Sequence, residues 1–296
     1  MLKLDEKKIR KGRPIGLPYI GSKKKVSKKI VEIIKQNFGC DIPVYDIFGG
    51  GGAVTAELLL NDFEVHYNDL DSDITDMFVR VISQDREWIK TLIVSREEFF
   101  DILDKNQKTV DDKMKLLINS FGNNQKNYLY SKKRSDIKYN LAVEIINKHD
   151  VFGGYRQTET YRSAKRECPE RLEQLEQLER LQQLERLQQL ERLEQLERLQ
   201  QLRITNRDYT AFSNVENAIL YLDPPYENTK NSYKFKFDHR SFYDWCVKMA
   251  RKNIVIVSSY DISDPRFEVS FEFKNAYGTL GGTNTKKYER LFMVKK

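Results

Sequence analysis

Cysteine and histidine are scarce in these 296 residues, with three of each: Cys40, Cys168 and Cys246, and His66, His149 and His239. They lie far apart, so neither a disulfide framework nor a zinc site is expected, and a reducing, cytoplasmic setting follows. No apolar run approaches the roughly 20 residues of a membrane span. No secretory signal is read at the start of the chain. What is present, 40% hydrophobic and 11% aromatic residues, suits a globular core rather than a disordered chain. The net charge of +7 is unevenly spread: residues 1–30 hold eleven Lys or Arg against Asp5 and Glu6, and a second basic cluster, SKKRSDIK, fills 131–138. Such patches suit a polyanion, whose released counterions drive binding, or else form a solvated basic surface.

VYDIF (44–48) is a strand-like run that meets four glycines and then AVTAELLL, the order strand, tight loop, helix. FEVHYND (63–69) reads as a second strand, completing a βαβ unit and implying a parallel sheet. ITDMFVRVISQ and REWIKTLIVSREEFFDIL are helical patterns within 70–118, and 119–168 is polar, rich in Asn and Lys and interleaved with tyrosines. The strand pattern returns in AILYLD (218–223), NIVIVSS (253–259) and RLFMVK (290–295), with a helix, SFYDWCVKMARK, between the first two.

From Leu172 to Leu202 a leucine falls at every third position, eleven in all, with Glu, Gln and Arg between. Three residues advance 300° around an α-helix, so successive leucines drift by 60° and no heptad seam forms. The alternatives are an α-helix with a winding apolar stripe, a 3₁₀-like rod or a small solenoid. The strong helix formers favour the α-helix. Its role reads as a spacer or self-association arm inserted at 169–202 and removable without touching the motifs, or as a slippage-expanded repeat with no selected role.

Two motifs carry chemistry. DIFGGGGAV fails the dinucleotide fingerprint at Val54 but keeps a shorter aromatic-and-glycine pattern through Phe48, Gly49 and Gly51. Twenty residues past Gly49 stands Asp69, where nucleotide-binding sheets place the acid for ribose hydroxyls. Without a Gly-Lys-Ser/Thr phosphate loop, an adenosine ligand fits better than a dinucleotide. The second motif is Asp223-Pro224-Pro225-Tyr226, which ends an apolar strand. A carboxylate and proline-fixed carbonyls are acceptors aimed in set directions, and a tyrosine ring beside them can stack on a planar base. Together they form a receptor for an amino-purine or amino-pyrimidine.

These residues resemble the D12, Dam-like class of DNA N6-adenine methyltransferases of bacteria and their phages. Tyr19-Ile20-Gly21-Ser22-Lys23 resembles the family's N-terminal cofactor motif, FGGGG its glycine loop, NDLDSDI its ribose-binding acid and LDPPY its catalytic loop, all in the family's order. Gly-Ser stands where the family has Gly-Gly. The resemblance implies a Rossmann-like class I α/β sheet with helices on both faces, formed by 1–75 and 203–296, and a mainly helical recognition region at 76–168. It implies S-adenosyl-L-methionine as methyl donor, held by Tyr19, Lys23, Phe48, Gly49, Gly51, Asp69 and Asp223, with Asp208 as a further cofactor or structural acid. It implies double-stranded DNA as partner and no metal. Lys24, Lys25, Lys132, Lys133 and Arg134 are candidates for phosphate contacts. Asn123, Asn124, Gln125 and Lys126 are candidates for base edges, since INSFGNNQKNYLY loosely resembles the DNA-facing segment of phage members. On the residues alone, N4-cytosine methylation, a catalytically silent DNA-binding protein and an RNA or protein methyltransferase stay open.

Overall fold

The computed structural model describes residues 1–19, 21–167, 180–197, 199, 202–227, 237–277 and 288–295. Ile20, Cys168 and residues 172–179, 198, 200 and 201 of the leucine repeat lie outside the described residues. The chain divides into two compact units, one of Met1–Pro14, Lys23–Thr75 and Leu196–Lys296, the other of Ile15–Ser22 and Asp76–Gln195. No helix among the described residues is long and apolar enough to cross a membrane.

The first unit is built on seven strands: β1 (Val44–Asp46), β2 (Val65–Asn68), β3 (Arg203–Thr205), β4 (Ile219–Leu222), β5 (Ile254–Ser259), β6 (Phe267–Tyr277) and β7 (Tyr288–Val294). Their order is β3-β2-β1-β4-β5-β7-β6. The first five pair in parallel, and β7 runs antiparallel to both β5 and β6. All four residues of β4 are buried, which explains its unbroken apolar sequence. Ile219 and Tyr221 pack on one face with α1 (Ser27–Phe38) and α2 (Ala53–Leu59). Leu220 and Leu222 pack on the other face with a helix at His239–Met249. The sheet is thus covered on both faces, and the α/β class read from the sequence holds. β3 and β6 are strands that the sequence patterns did not announce.

The second unit is helical. α3 (Ser72–Ile82) leads into α4 (Arg86–Lys90), α5 (Arg96–Asp104), α6 (Val110–Asn119), α7 (Lys132–His149), α8 (Glu159–Arg166) and α9 (Gln182–Glu194); the helix at His239–Met249 is α10. The pattern that reads as one helix over REWIKTLIVSREEFFDIL is two. Ser95 caps α5 by accepting the Glu98 N–H at 3.1 Å, so the chain restarts there.

α9 is most of the described part of the leucine repeat, and there the repeat takes the form of the winding-stripe α-helix. Leu181, Leu184, Leu187, Leu190 and Leu193 are all 0% exposed. At 60° of drift per step these five sweep about 240° of the helix circumference. A helix buried around that much of its surface is a core element rather than a spacer arm. α9 packs on α4 and α6, and its leucines are covered within the chain itself rather than presented to a second copy. Tyrosines of the polar segment secure its start: the Tyr155 hydroxyl accepts the Leu181 N–H at 3.0 Å and the Tyr130 hydroxyl accepts the Gln182 N–H at 3.1 Å.

Candidate active site

The order β3-β2-β1-β4 means that the chain winds outward from β1 to β3 and then returns to the other side of β1. The gap between the carboxyl ends of β1 and β4 is therefore the topological switch point, where open α/β sheets hold ligands. The glycine loop leaves β1 there and the Asp223 loop leaves β4, with the Ile47 N–H bonded to the Tyr221 carbonyl at 3.2 Å.

The glycine loop is fixed from β2. Its Gly49 N–H binds the Asn68 carbonyl and its Gly50 N–H binds Asp69 Oδ2, both at 2.8 Å. The Tyr67 hydroxyl donates to the Gly50 carbonyl, also at 2.8 Å. A Cβ on Gly49 would come within 2.3 Å of the Tyr67 ring, which is fully buried and has nowhere to move. Gly49→Ala is accordingly expected to cost about 1–3 kcal/mol of stability through overpacking. Chemical denaturation checks this, and an unchanged midpoint contradicts the close approach. Gly50 and Gly52 are the loop's left-handed residues, at φ +49° and +69°, rather than Gly51.

Three carboxyls gather near the switch point. Asp69 accepts Gly50 and Asp71 N–H groups at 2.8 Å, and burial raises it to about 6 against those two bonds. Asp46 accepts the Thr55 hydroxyl at 2.7 Å through Oδ2, while Oδ1 is buried without a hydrogen-bond partner among the described residues. Burial, with the charges of Asp223 and Asp69 adding, raises Asp46 to about 7. Asp223 is raised to about 6, first by burial and also by Glu289, with Lys23 and Tyr226 opposing.

Asp223 belongs to a tight cluster. Lys23 Nζ lies 2.8 Å from Asp223 Oδ1 and 3.8 Å from Glu289 Oε1. The Tyr226 hydroxyl sits 3.0 Å from Asp223 Oδ1 and 2.5 Å from Glu289 Oε1, and Ser258 Oγ donates to the same Glu289 oxygen at 2.6 Å. Burial and both carboxylates push the Tyr226 phenol far above its usual range, so it stays a donor. One ring face of Tyr226 lies under the Lys23 ammonium at 4.8 Å, and the Tyr260 ring meets it in a T-shaped contact at 4.7 Å. The Pro225 carbonyl accepts from His239 Nε2 at 2.9 Å, which ties the loop to α10.

The sequence-predicted residues thus divide. Lys23, Asp223 and Tyr226 meet in the cluster, and Gly49 and Asp69 meet in the glycine loop. Phe48 packs among Tyr209, Phe237 and Phe242, forming an apolar wall. Asp208 caps a short turn by accepting the Thr210 N–H and hydroxyl at 3.0 and 2.6 Å, so the structure uses it as a capping acid. Tyr19 falls in the segment that groups with the helical unit. Lys24 is half-buried and Lys25 exposed, while Lys132, Lys133 and Arg134 are exposed on the first turn of α7. In the loop after α6, the Asn124 side chain accepts the N–H groups of Lys126 and Asn127 at 2.9 and 3.0 Å, so it builds the loop. Asn123 and Gln125 are half-buried in that loop and Lys126 is exposed. Glu289, Ser258, Tyr260 and His239 were not read from the sequence. The one available signal was Glu289, an acid in phase with the buried Leu291 on β7. Among the described residues no group of three or more His, Cys, Asp or Glu side chains could hold a metal ion.

The family model described as D12 class N6 adenine-specific DNA methyltransferase matches residues 19–245. No curated protein matches the sequence significantly. Among solved structures, a Haemophilus influenzae protein provisionally named a methylase aligns at 8% identity and TM-score 0.34, covering 92% of this chain and 98% of that one. An Escherichia coli protein provisionally named a methyltransferase aligns at 10% identity and TM-score 0.37, covering 95% of this chain and 92% of that one.

Proposed function

The chain belongs to the D12 class N6 adenine-specific DNA methyltransferase family, and on that premise we propose that it transfers a methyl group from S-adenosyl-L-methionine to the exocyclic N6 of an adenine flipped out of double-stranded DNA. The family sets aside cytosine N4, RNA and protein as targets. The observation that carries the reading is the placement of the Asp223 carboxylate after β4 and the glycine loop after β1, on either side of the switch point.

The residues present fit the donor. A ligand with a sulfonium, an ammonium and ribose hydroxyls offers cations and hydrogen-bond donors to the acidic set of Asp46, Asp69 and Asp223, and Asp46 Oδ1 is an acceptor with no donor among the described residues. Gly49 and Gly51 leave room for close backbone approach, Phe48 supplies an apolar wall and Lys23 sits at the catalytic loop. Tyr19 is assigned by the family resemblance alone. S-adenosyl-L-methionine, when bound, supplies an electrophilic methyl group.

Asp223 accepts a hydrogen bond from the adenine amine, and the Pro224 carbonyl accepts the second. The two acceptors turn the nitrogen lone pair toward the methyl carbon. The part of these residues would be to hold the amine in that direction during transfer, and the surplus amine proton would leave to water. Flipping costs a few kcal/mol of stacking and pairing. Stacking of the base on Tyr226, in place of the Lys23 ammonium, returns about 1–3 kcal/mol. We assign catalysis to 1–75 and 203–296 and target recognition to 76–168, with bacterial cytoplasmic DNA as the setting. Lys132, Lys133 and Arg134 support phosphate binding for a physical reason. Cations at a helix N-terminus oppose the macrodipole, and a phosphate placed there relieves both.

The carboxyl shifts give a pH dependence. Asp223 and Asp69 are raised to about 6 and Asp46 to about 7, so each protonates, and loses its acceptor charge, as pH falls through those values. At saturating donor, where Asp223 is the carboxylate that faces the reacting amine, turnover is expected to fall by about tenfold per unit below about pH 6. A rate profile flat down to pH 5 contradicts the assignment. The function itself is tested by modification-sensitive sequencing of DNA from cells expressing the protein. N6-methyladenine within one sequence context is expected; unmodified adenines overturn the reading.

A further inference from the structure

Two residues of the leucine repeat stand apart from its packing role. Glu, Gln and Arg fill the polar positions of the repeat, yet Gln183 is 0% and Arg186 8% exposed. Arg186 Nη1 donates to the carbonyls of Leu117 at 3.4 Å, of Ile118, and of Ser120 at 2.9 Å. α6 ends at Asn119, so the first two are carbonyls that its last turn leaves without helical partners, at the negative end of its dipole, and the third belongs to the C-cap residue Ser120. Gln183 Nε2 donates to Asn119 Oδ1 at 2.5 Å and lies 3.3 Å from the Tyr128 hydroxyl. Ser120 and Tyr128 face each other in the β-bridge that closes the next loop, where the Phe121 N–H also binds the Asn127 carbonyl at 2.7 Å. Both feet of the 121–127 loop therefore stand on α9. The loop itself holds Gly122, Asn123 and Gln125 at φ +58°, +59° and +57°. The last has none of glycine's freedom, so its conformation depends on support from outside.

We propose that Gln183 and Arg186 are positioning residues that hold the 121–127 loop in the shape that reads DNA bases, so that the repeat helix helps to set target specificity. This rests on the reading of the chain as a DNA methyltransferase with that loop against DNA. The repeat has a matching grammar. From Gln177 to Gln201 the third residue of each triplet alternates Gln and Arg, so the true unit is a hexad. A slip of six residues returns a Gln and an Arg to the same two places. A slip of three keeps every leucine in place and exchanges the two side chains.

Two variants of the full chain test this. Arg186→Lys keeps the cation but ends in a shorter, unbranched ammonium, which moves its donors off the place where Nη1 meets the three carbonyls. The double change Gln183→Arg with Arg186→Gln reproduces a three-residue slip without altering composition or leucines. Amide hydrogen exchange at 121–129 and sequencing of every methylated adenine on a plasmid are the two readouts. Faster exchange concentrated in the loop is expected, with preference for the target site over other adenines falling about tenfold or more. Total turnover at saturating DNA should stay within about twofold for Arg186→Lys. Unchanged loop exchange and unchanged site preference overturn the proposal, as does an equal rise in exchange throughout the helical unit, which makes the pair ordinary packing. A wild-type chain that methylates no adenine contradicts the functional reading instead, and the exchange measurement still decides whether the pair holds the loop.

Discussion

Asp223→Asn is expected to lower methyl transfer by about 10²–10³-fold, the cost of removing one preorganised electrostatic group. The amide is nearly isosteric, so the change acts on charge more than on shape. Its oxygen still accepts, but weakly, and its NH₂ points a donor where a second donor, the adenine amine, must sit. Lys23, 2.8 Å from the carboxylate, loses that charged partner and keeps Glu289 at 3.8 Å and the Tyr226 ring face at 4.8 Å. Tyr226 likewise keeps Glu289 at 2.5 Å, so the cluster loosens without dissolving. Single-turnover kinetics should show the loss in the chemical step, while calorimetry still detects donor binding. A variant that turns over like the wild type contradicts the role given to Asp223.

Leu187→Ala is expected to destabilise the helical unit by about 2–5 kcal/mol, the range for a buried leucine replaced by alanine. That is a large share of the 5–15 kcal/mol that holds a typical domain together. Leu187 is 0% exposed and sits midway along five leucines that face the interior over most of the α9 circumference, so the cavity left by its truncation is enclosed by packed neighbours. Excision of residues 181–196 is expected to unfold the unit rather than trim a spacer, because Tyr130 and Tyr155 bond to the start of α9 and Arg186 bonds to the end of α6. Thermal melting of Leu187→Ala checks the magnitude, and a melting point equal to that of the wild type contradicts the core role of the repeat.

The repeat also shows where sequence reasoning stops. Its three-residue period leaves an α-helix, a 3₁₀-like rod and a solenoid open, its helix-forming residues favour the first, and which elements supply the surrounding partners is a long-range question that neither answers. The strands follow the same logic. β4 and β5 are continuous apolar runs buried on both faces and are legible at once. β3 is three residues long and carries no period. β6 alternates from Phe267 to Phe273, but a register shift between Val269 and Phe271 turns its later residues to the other face, and Phe267 and Phe273 belong to different cores. At the site, Asp223, Tyr226, Gly49 and Asp69 are legible because each motif is local. Glu289 and Ser258 join only because β5 and β7 are neighbours in the sheet, a pairing that no short stretch encodes.

The central claim is methyl transfer to adenine N6 by the residues around the switch point. Incubation of the purified chain with unmethylated plasmid and methyl-labelled S-adenosyl-L-methionine, followed by digestion to nucleosides, tests it most directly. All label is predicted to run with N6-methyldeoxyadenosine, and none is predicted to appear with Asp223→Ala. Label in cytosine, or undiminished label with Asp223→Ala, contradicts the account.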